Sequence, residues 1–214
     1  MKSIIIKNHE VTNTLPKDFT YLNHILTIPK NIHYQDPIKI TLEDDNNEHL
    51  NIVVSENSSV KIILEVASKE TTDHFYNLTL TAKPNAQVKY LLVSELASKN
   101  AVLNHHFYGE RDSKLDIIGG FISDILQAKM SVDLKGEGSE VKMRAVAVSS
   151  DDHQQNVDVH ITHKAPNSFG DMTNIGIANK RGKIILNGVE KIEKGMKNAN
   201  AFLAASFGNS GFSV

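Results

Sequence analysis

At 214 residues, with 40 % hydrophobic and 22 % charged side chains, the chain has the make-up of one globular domain able to bury a full core. A formal net charge of −2 gives no electrostatic basis for binding nucleic acid or an anionic membrane surface. The absence of cysteine removes disulfides, zinc–thiolate centres, cysteine nucleophiles and any thiolate set of the chain's own for an iron–sulfur cluster.

In chain order, the start MKSIIIKNHEV lacks the apolar run of a signal peptide, and no segment approaches the roughly eighteen apolar residues of a membrane helix. A cytoplasmic location is the expectation. Residues 1–37 read as irregular, with one short helix over LPKDFTYLNHIL (15–26) cut off by LTIPK. From residue 38 the signal is β throughout. IKITLE (38–43), LNIVVSE (50–56), VKIILEVA (60–67), YNLTLTA (76–82) and VKYLLVSE (88–95) are short, β-branched and mostly alternating. LDIIGGFI (115–122), KMSVDLKG (129–136), VKMRAVAV (141–148) and VDVHITH (157–163) continue the series. The end, from residue 203 to 214, is small and glycine-rich and reads as a loose tail.

The strands repeat. SENSSVKIILE, AKPNAQVKYLL, GERDSKLDIIG and GEGSEVKMRAV share a polar turn, one or two small or polar residues, then an apolar strand. Their first apolar residues are Val60, Val88, Leu115 and Val141, giving steps of 28, 27 and 26; NKRGKIILNGV places Ile184 as an echo 43 residues later. A near-constant step of helix-free units predicts an all-β fold, a parallel β-solenoid with coils of about 27 residues, in one domain over 1–214. A sandwich with antiparallel hairpins across PNAQ or GEGS is the competing fold.

Most polar turns read as solvated rims. GEGSE (136–140) lacks the Gly-Lys-Ser/Thr and the helix of a phosphate loop, and Gly119–Gly120 mark a bulge or close backbone approach. The adjacent His105 and His106 point to opposite faces of a strand. In DHQQNVDVHITHKAPNS (152–168), Val157, Val159 and Ile161 share one face with His163, while Asp158, His160 and Thr162 share the other. The candidates for metal ligation are Asp158, His160 and His163, yet alternation leaves Asp158 and His160 as the closest pair, too few for a tight site. His163 is expected buried and hydrogen-bonded at a coil corner. Asp116, Asp133 and Asp158 on neighbouring coils are the only acids to offer a β-helical polysaccharide enzyme, and the lack of tryptophan and 6 % aromatic content speak against a sugar-stacking face. No catalytic or cofactor-binding residue is assigned.

The succession GEGSE, DHQQNVDVHITHKAPNS, RGKIILNGVEKI resembles the shared core of the SufB and SufD proteins of iron–sulfur cluster assembly. His153, Gln154 and Asp158 match a Gln/His-rich segment of that family; His163, Pro166 and Ser168 match a T-x-I-x-H-x-A-P-x-S run; Gly182, Lys183 and Gly188 match a later glycine-bearing strand. The resemblance covers the second half closely and the first half through its rhythm, and it implies a right-handed parallel β-helix. The family's further coils, its His-Gly-Ala-Thr segment, its cluster-related cysteine or histidine and its SufC-docking helices have no counterpart before the chain stops at FGNSGFSV. The resemblance therefore implies a non-enzymatic scaffold that associates through its β-helix as a homodimer or with a SufB/SufD-like partner. It further implies weak or absent binding of a SufC-like ATPase, and a cluster only transiently present in a complex. The alternatives are a polysaccharide-active enzyme and a purely structural protein-binding solenoid.

Overall fold

The computed structural model describes residues 2–43 and 47–209, which are all strand and turn without a helix. Fifteen strands wind into a β-solenoid of about 6 turns spaced by about 28 residues. Two faces make up each coil. One sheet stacks β1 (Lys2–Lys7), β5 (Ile38–Glu43), the first half of β7 (Ser59–Ala82), the first half of β8 (Gln87–Gly109), β9 (Lys114–Phe121), β11 (Glu140–Ser149), β13 (Phe169–Ala178) and β15 (Asn200–Asn209). The other stacks β4 (Ile25–Ile28), β6 (Asn47–Val54), the second halves of β7 and β8, β10 (Ile125–Leu134), β12 (Gln154–His163) and β14 (Lys183–Ile192). Every one of these pairings is parallel.

The repeat explains the register. Val60, Val88, Leu115 and Val141 are successive Cα partners, all buried, so the polar-turn-then-apolar plan marks equivalent places on successive coils. The segments flanking PNAQ and GEGS lie on opposite sheets and pair in parallel with neighbouring coils, which rules out the hairpin sandwich. Period-2 alternation then buries one side chain in two, and each buried Val, Leu or Ile contributes about 1.5–3 kcal/mol. Three expectations are corrected. The column continues through Gly170 and Ala201, whereas Ile184 lies on the other sheet, opposite Gln155. Residues 1–37 are not irregular: β1 pairs in register with β5 as a coil of the solenoid, and 15–26 holds a hairpin of β3 (Thr20–Leu22) with β4 where a helix was expected. The expected tail is strand β15 as far as Asn209, and 210–214 lie outside the described residues. Gly119 is no bulge but a close approach, since a Cβ there would sit 2.6 Å from Met130 Sδ.

One corner of every coil turns through a residue at positive φ: Asn31, Asn57, Asn85, Asp112, Gly138, Asn167 and Asn198. These are the residue types that tolerate the left-handed region. They also stack, with Asn85 Nδ2 donating to Asn57 Oδ1 at 3.0 Å and Asn57 Nδ2 to Asn31 Oδ1 at 3.1 Å. The next residue tucks inward and is small, as at Ser58, Ala86, Ser113, Ser139 and Ser168. Asn85→Ala is expected to lower stability by about 1 kcal/mol, and Asn85→Gly by less than half of that, because only alanine adds left-handed strain to the lost ladder bond. Urea denaturation of the two variants checks the order.

Candidate functional site

The polar outer face of the second sheet is a lattice dictated by alternation and stacking. One column runs Asn51, Thr79, His106, Ser131, His160, Val189; beside it lie His49, Asn77, Asn104, Lys129, Asp158, Asn187 and, on the other flank, Val53, Thr81, Tyr108, Asp133, Thr162, Lys191. Side chains link along columns: Thr79 Oγ1 donates to Asn51 Oδ1 at 2.6 Å, Asn104 Nδ2 to Asn77 Oδ1 at 3.1 Å, and Asn187 Nδ2 to Asp158 Oδ1 at 2.7 Å. A shallow depression lies over Asn77, Thr79, Asn104, His106 and Lys129.

At the depression's edge, Lys164 Nζ donates to Asp133 Oδ2 at 2.9 Å, and His106 Nε2 lies 3.2 Å from the same oxygen. Burial pulls the His106 imidazole below its ordinary value, against the attraction of Asp133, while the hydrogen bond to Asp133 raises Lys164. Asp133 is thus already balanced by a cation. Asp116 sits on the opposite sheet, paired with Arg144, and Asp158 is two columns away from Asp133, held by Asn187. The three acids considered for polysaccharide chemistry do not converge.

Along Asp152–Ser168, inward and outward positions fall as alternation requires. His160 faces out between Ser131 and Val189, and Asp158 faces out beside it; His163 is fully buried. Asp158, His160 and His163 are therefore not brought together. His153 sits at the corner with Nε2 3.3 Å from Asp124 Oδ1. Gln154 is exposed, whereas Gln155 turns inward and its amide donates to Ser123 O at 2.9 Å and Val148 O at 2.6 Å, tying the corner together. Next to it, Arg181 grips Asp152 with two nitrogens at 2.6 and 2.7 Å and Lys180 Nζ meets Asp151 at 2.6 Å. These hydrogen bonds hold both carboxyls below their ordinary values.

His163 does not satisfy its ring with backbone groups. Nδ1 lies 2.8 Å from Ser168 Oγ, and Nε2 lies 3.2 Å from Oε1 of Glu190, one coil on. Ser168 Oγ also donates to Ala165 O at 2.9 Å, closing the APNS turn. Serine, imidazole and carboxylate are linked as in an acyl-transfer triad, but Ser168 and His163 are buried in the coil interior, and the Glu190 side chain is 4 % exposed. With Ser168 buried and its hydroxyl proton directed at Ala165 O, the network ties together two coils. Gly170 leaves the room: a Cβ there would run into Glu190 Oε1 and lie 2.9 Å from His163 Nε2. Gly182 and Gly188 are likewise close approaches, to the Ser149 backbone and to Asn174 and Met172. Glu190 and Lys164 were missing from the sequence-based candidates. Glu190 had a usable signal, because Ile184, Leu186 and Gly188 set an inward phase on which it falls.

A family model described as "SUF system FeS cluster assembly, SufBD core domain" matches residues 40–206. The chain is 26 % identical over 187 residues to the iron–sulfur cluster assembly protein SufD of Bacillus subtilis (strain 168), an alignment covering 82 % of this chain and 43 % of that relative. The chain thus spans less than half the length of that relative. Since the matched region takes in strands β6 to β14 and most of β5 and β15, the chain belongs to the SufB/SufD family of the SUF iron–sulfur cluster assembly system.

Proposed function

We propose that the protein is a non-catalytic scaffold component of SUF-type iron–sulfur cluster assembly, acting by association of its β-helix with a SufB/SufD-like partner or a second copy of itself. The observation that carries this reading is the match to the SufBD core domain over a stack of parallel coils. On β14 and β15, Ile185, Val189, Phe202, Leu203 and Phe207 are 48–65 % exposed. Exposed apolar side chains clustered on one surface favour association with another protein surface. In this reading a SufC-like ATPase is not held by these coils, and a cluster resides only transiently in the complex.

Light scattering at high micromolar concentration tests it. A mass of twice the chain, or a stoichiometric complex with a co-expressed SufB-like chain, is expected, and Phe207→Glu should reduce either association at least tenfold. A strict monomer that also captures no SufB-like chain overturns the reading. Release of reducing ends from pectin- or alginate-type polymers would overturn its non-catalytic part.

A further inference from the structure

The two β-hairpins near the amino terminus turn through the same dipeptide. β1 returns into β2 (Glu10–Val11) through Asn8–His9, and β3 returns into β4 through Asn23–His24, with φ of 49° and 63° in one turn and 50° and 62° in the other. Positive φ at both central residues is the geometry of tight hairpin turns, and it fixes where each imidazole projects. The two rings meet edge to face at 4.9 Å. The turns are tied in place: Tyr21 Oη donates to His9 O at 3.0 Å, and Asn51 N donates to His24 O at 2.9 Å, which anchors the second turn to β6.

Below the two rings lies Glu48. Its column on the inner face continues Tyr76, Leu103, Ala128, Val157, Leu186, so Glu48 is the one carboxylate in a line of apolar side chains. Its side chain is 0 % exposed. Oε1 accepts the His49 N–H at 2.9 Å and meets His9 Nδ1 at 2.9 Å, but Oε2 has no hydrogen-bond partner, and neither does the buried Nδ1 of His24. A buried carboxylate oxygen and a buried imidazole nitrogen left without partners, side by side, are costly unless something occupies the space between them.

We propose that His9, His24 and Glu48 form a binding site for a divalent first-row transition-metal ion. One ligand atom from each lies within 4.8 Å of the others. Ligand atoms around a tetrahedral ion at about 2.1 Å stand roughly 3.4 Å apart, so the three close on the ion by rotation of their side chains, that of His9 being 38 % exposed. Two imidazoles and one carboxylate suit zinc or ferrous iron; calcium and magnesium, which take oxygen ligands, fit poorly. Three protein ligands leave a fourth position open toward solvent on the His9 side. The site is at the opposite end of the solenoid from the association surface proposed above and does not depend on it.

The test uses the full chain made without a histidine tag, stripped with chelator and titrated with Zn²⁺ against a chromophoric competitor, with Co²⁺ absorption as a second probe. One equivalent is expected, with cobalt spectra of nitrogen–oxygen ligation. His24→Asn, which keeps a residue suited to the left-handed turn, and Glu48→Gln should each weaken binding about 100-fold, while His160→Ala leaves it unchanged. Should Glu48→Gln fail to fold, His9→Asn and His24→Asn together carry the test. No stoichiometric binding, or binding that survives these substitutions and is lost in His160→Ala, overturns the proposal.

Discussion

Lowering the pH from 7 to 4 is expected to destabilise the protein by about 3 kcal/mol through a single side chain, His105. Its ring is wholly inside the solenoid, stacked 4.0 Å from Phe107 and bonded through Nε2 to Tyr90 Oη at 2.7 Å. Burial, and to a lesser degree repulsion from His106, pulls the imidazole down from 6.5 to about 3, while burial pushes the Tyr90 phenol up. Because the folded value lies below the unfolded one, the unfolded chain takes up the proton first as pH falls. The stabilisation is complete above about pH 6.5, is lost progressively below it, and levels off near pH 3 after a total of about 4–5 kcal/mol. The depressed carboxyls of Asp151 and Asp152 act in the same direction but are fully solvent-exposed, so the comparison has to be made with a variant. Urea unfolding at pH 7, 6, 5 and 4 should show the wild type losing stability more steeply than His105→Gln, which keeps an acceptor for the Tyr90 hydroxyl. Parallel slopes would mean that His105 does not titrate between the two states.

The second large effect is expected at Gly170. Adding one methyl group in Gly170→Ala should cost about 2–3 kcal/mol, since it meets the Glu190 carboxylate and the His163 ring at once and both are locked by hydrogen bonds. Glu190→Ala alone should cost about 1–3 kcal/mol by stripping His163 Nε2 of its partner. In the double variant the methyl group has room, so the combined loss should fall short of the sum by 1 kcal/mol or more. Strict additivity in chemical denaturation would show that the two residues do not compete for the same space.

These two residues also show where the sequence could be read and where it could not. The column of Val60, Val88, Leu115 and Val141 was legible because each follows a polar turn with a bulky apolar residue at the same offset. PNSFG and KNANA make the same turn, through Asn167 and Asn198, but put Gly170 and Ala201 in the column, so the pattern seemed to jump to Ile184. The reason for the glycine is Glu190, which enters from the opposite sheet. Alternation placed His160 outside and His163 inside correctly, yet it could not name the partner of His163, which is a whole coil away. Counting alternation further would have exposed both inward carboxylates, Glu190 beyond Gly188 and Glu48 before Leu50. The amino-terminal hairpins were missed because Asn-His is a less familiar turn pair than Asn-Gly, and because 15–26 carries apolar residues at spacings that a helix would also use.

The coil corners carry one more consequence. Along the flat faces the stacking is one residue to one residue, and differences in coil length are confined to the corners, including the bend of β7 between Ser68 and Asp73 where its register against β8 shifts. From Ser94 to Ala101 the chain takes seven steps, where the next coil covers Phe121 to Leu126 in five; from His163 to Phe169 it takes six, against eight from Ile192 to Asn200. A residue inserted within β11 would turn every following side chain of that strand inside out. The same residue inserted at a corner would lengthen the bend and leave both sheets in place. Genetic drift in length is thus channelled: corners can gain or lose residues singly, and the strands between them change only when an entire coil is duplicated or dropped.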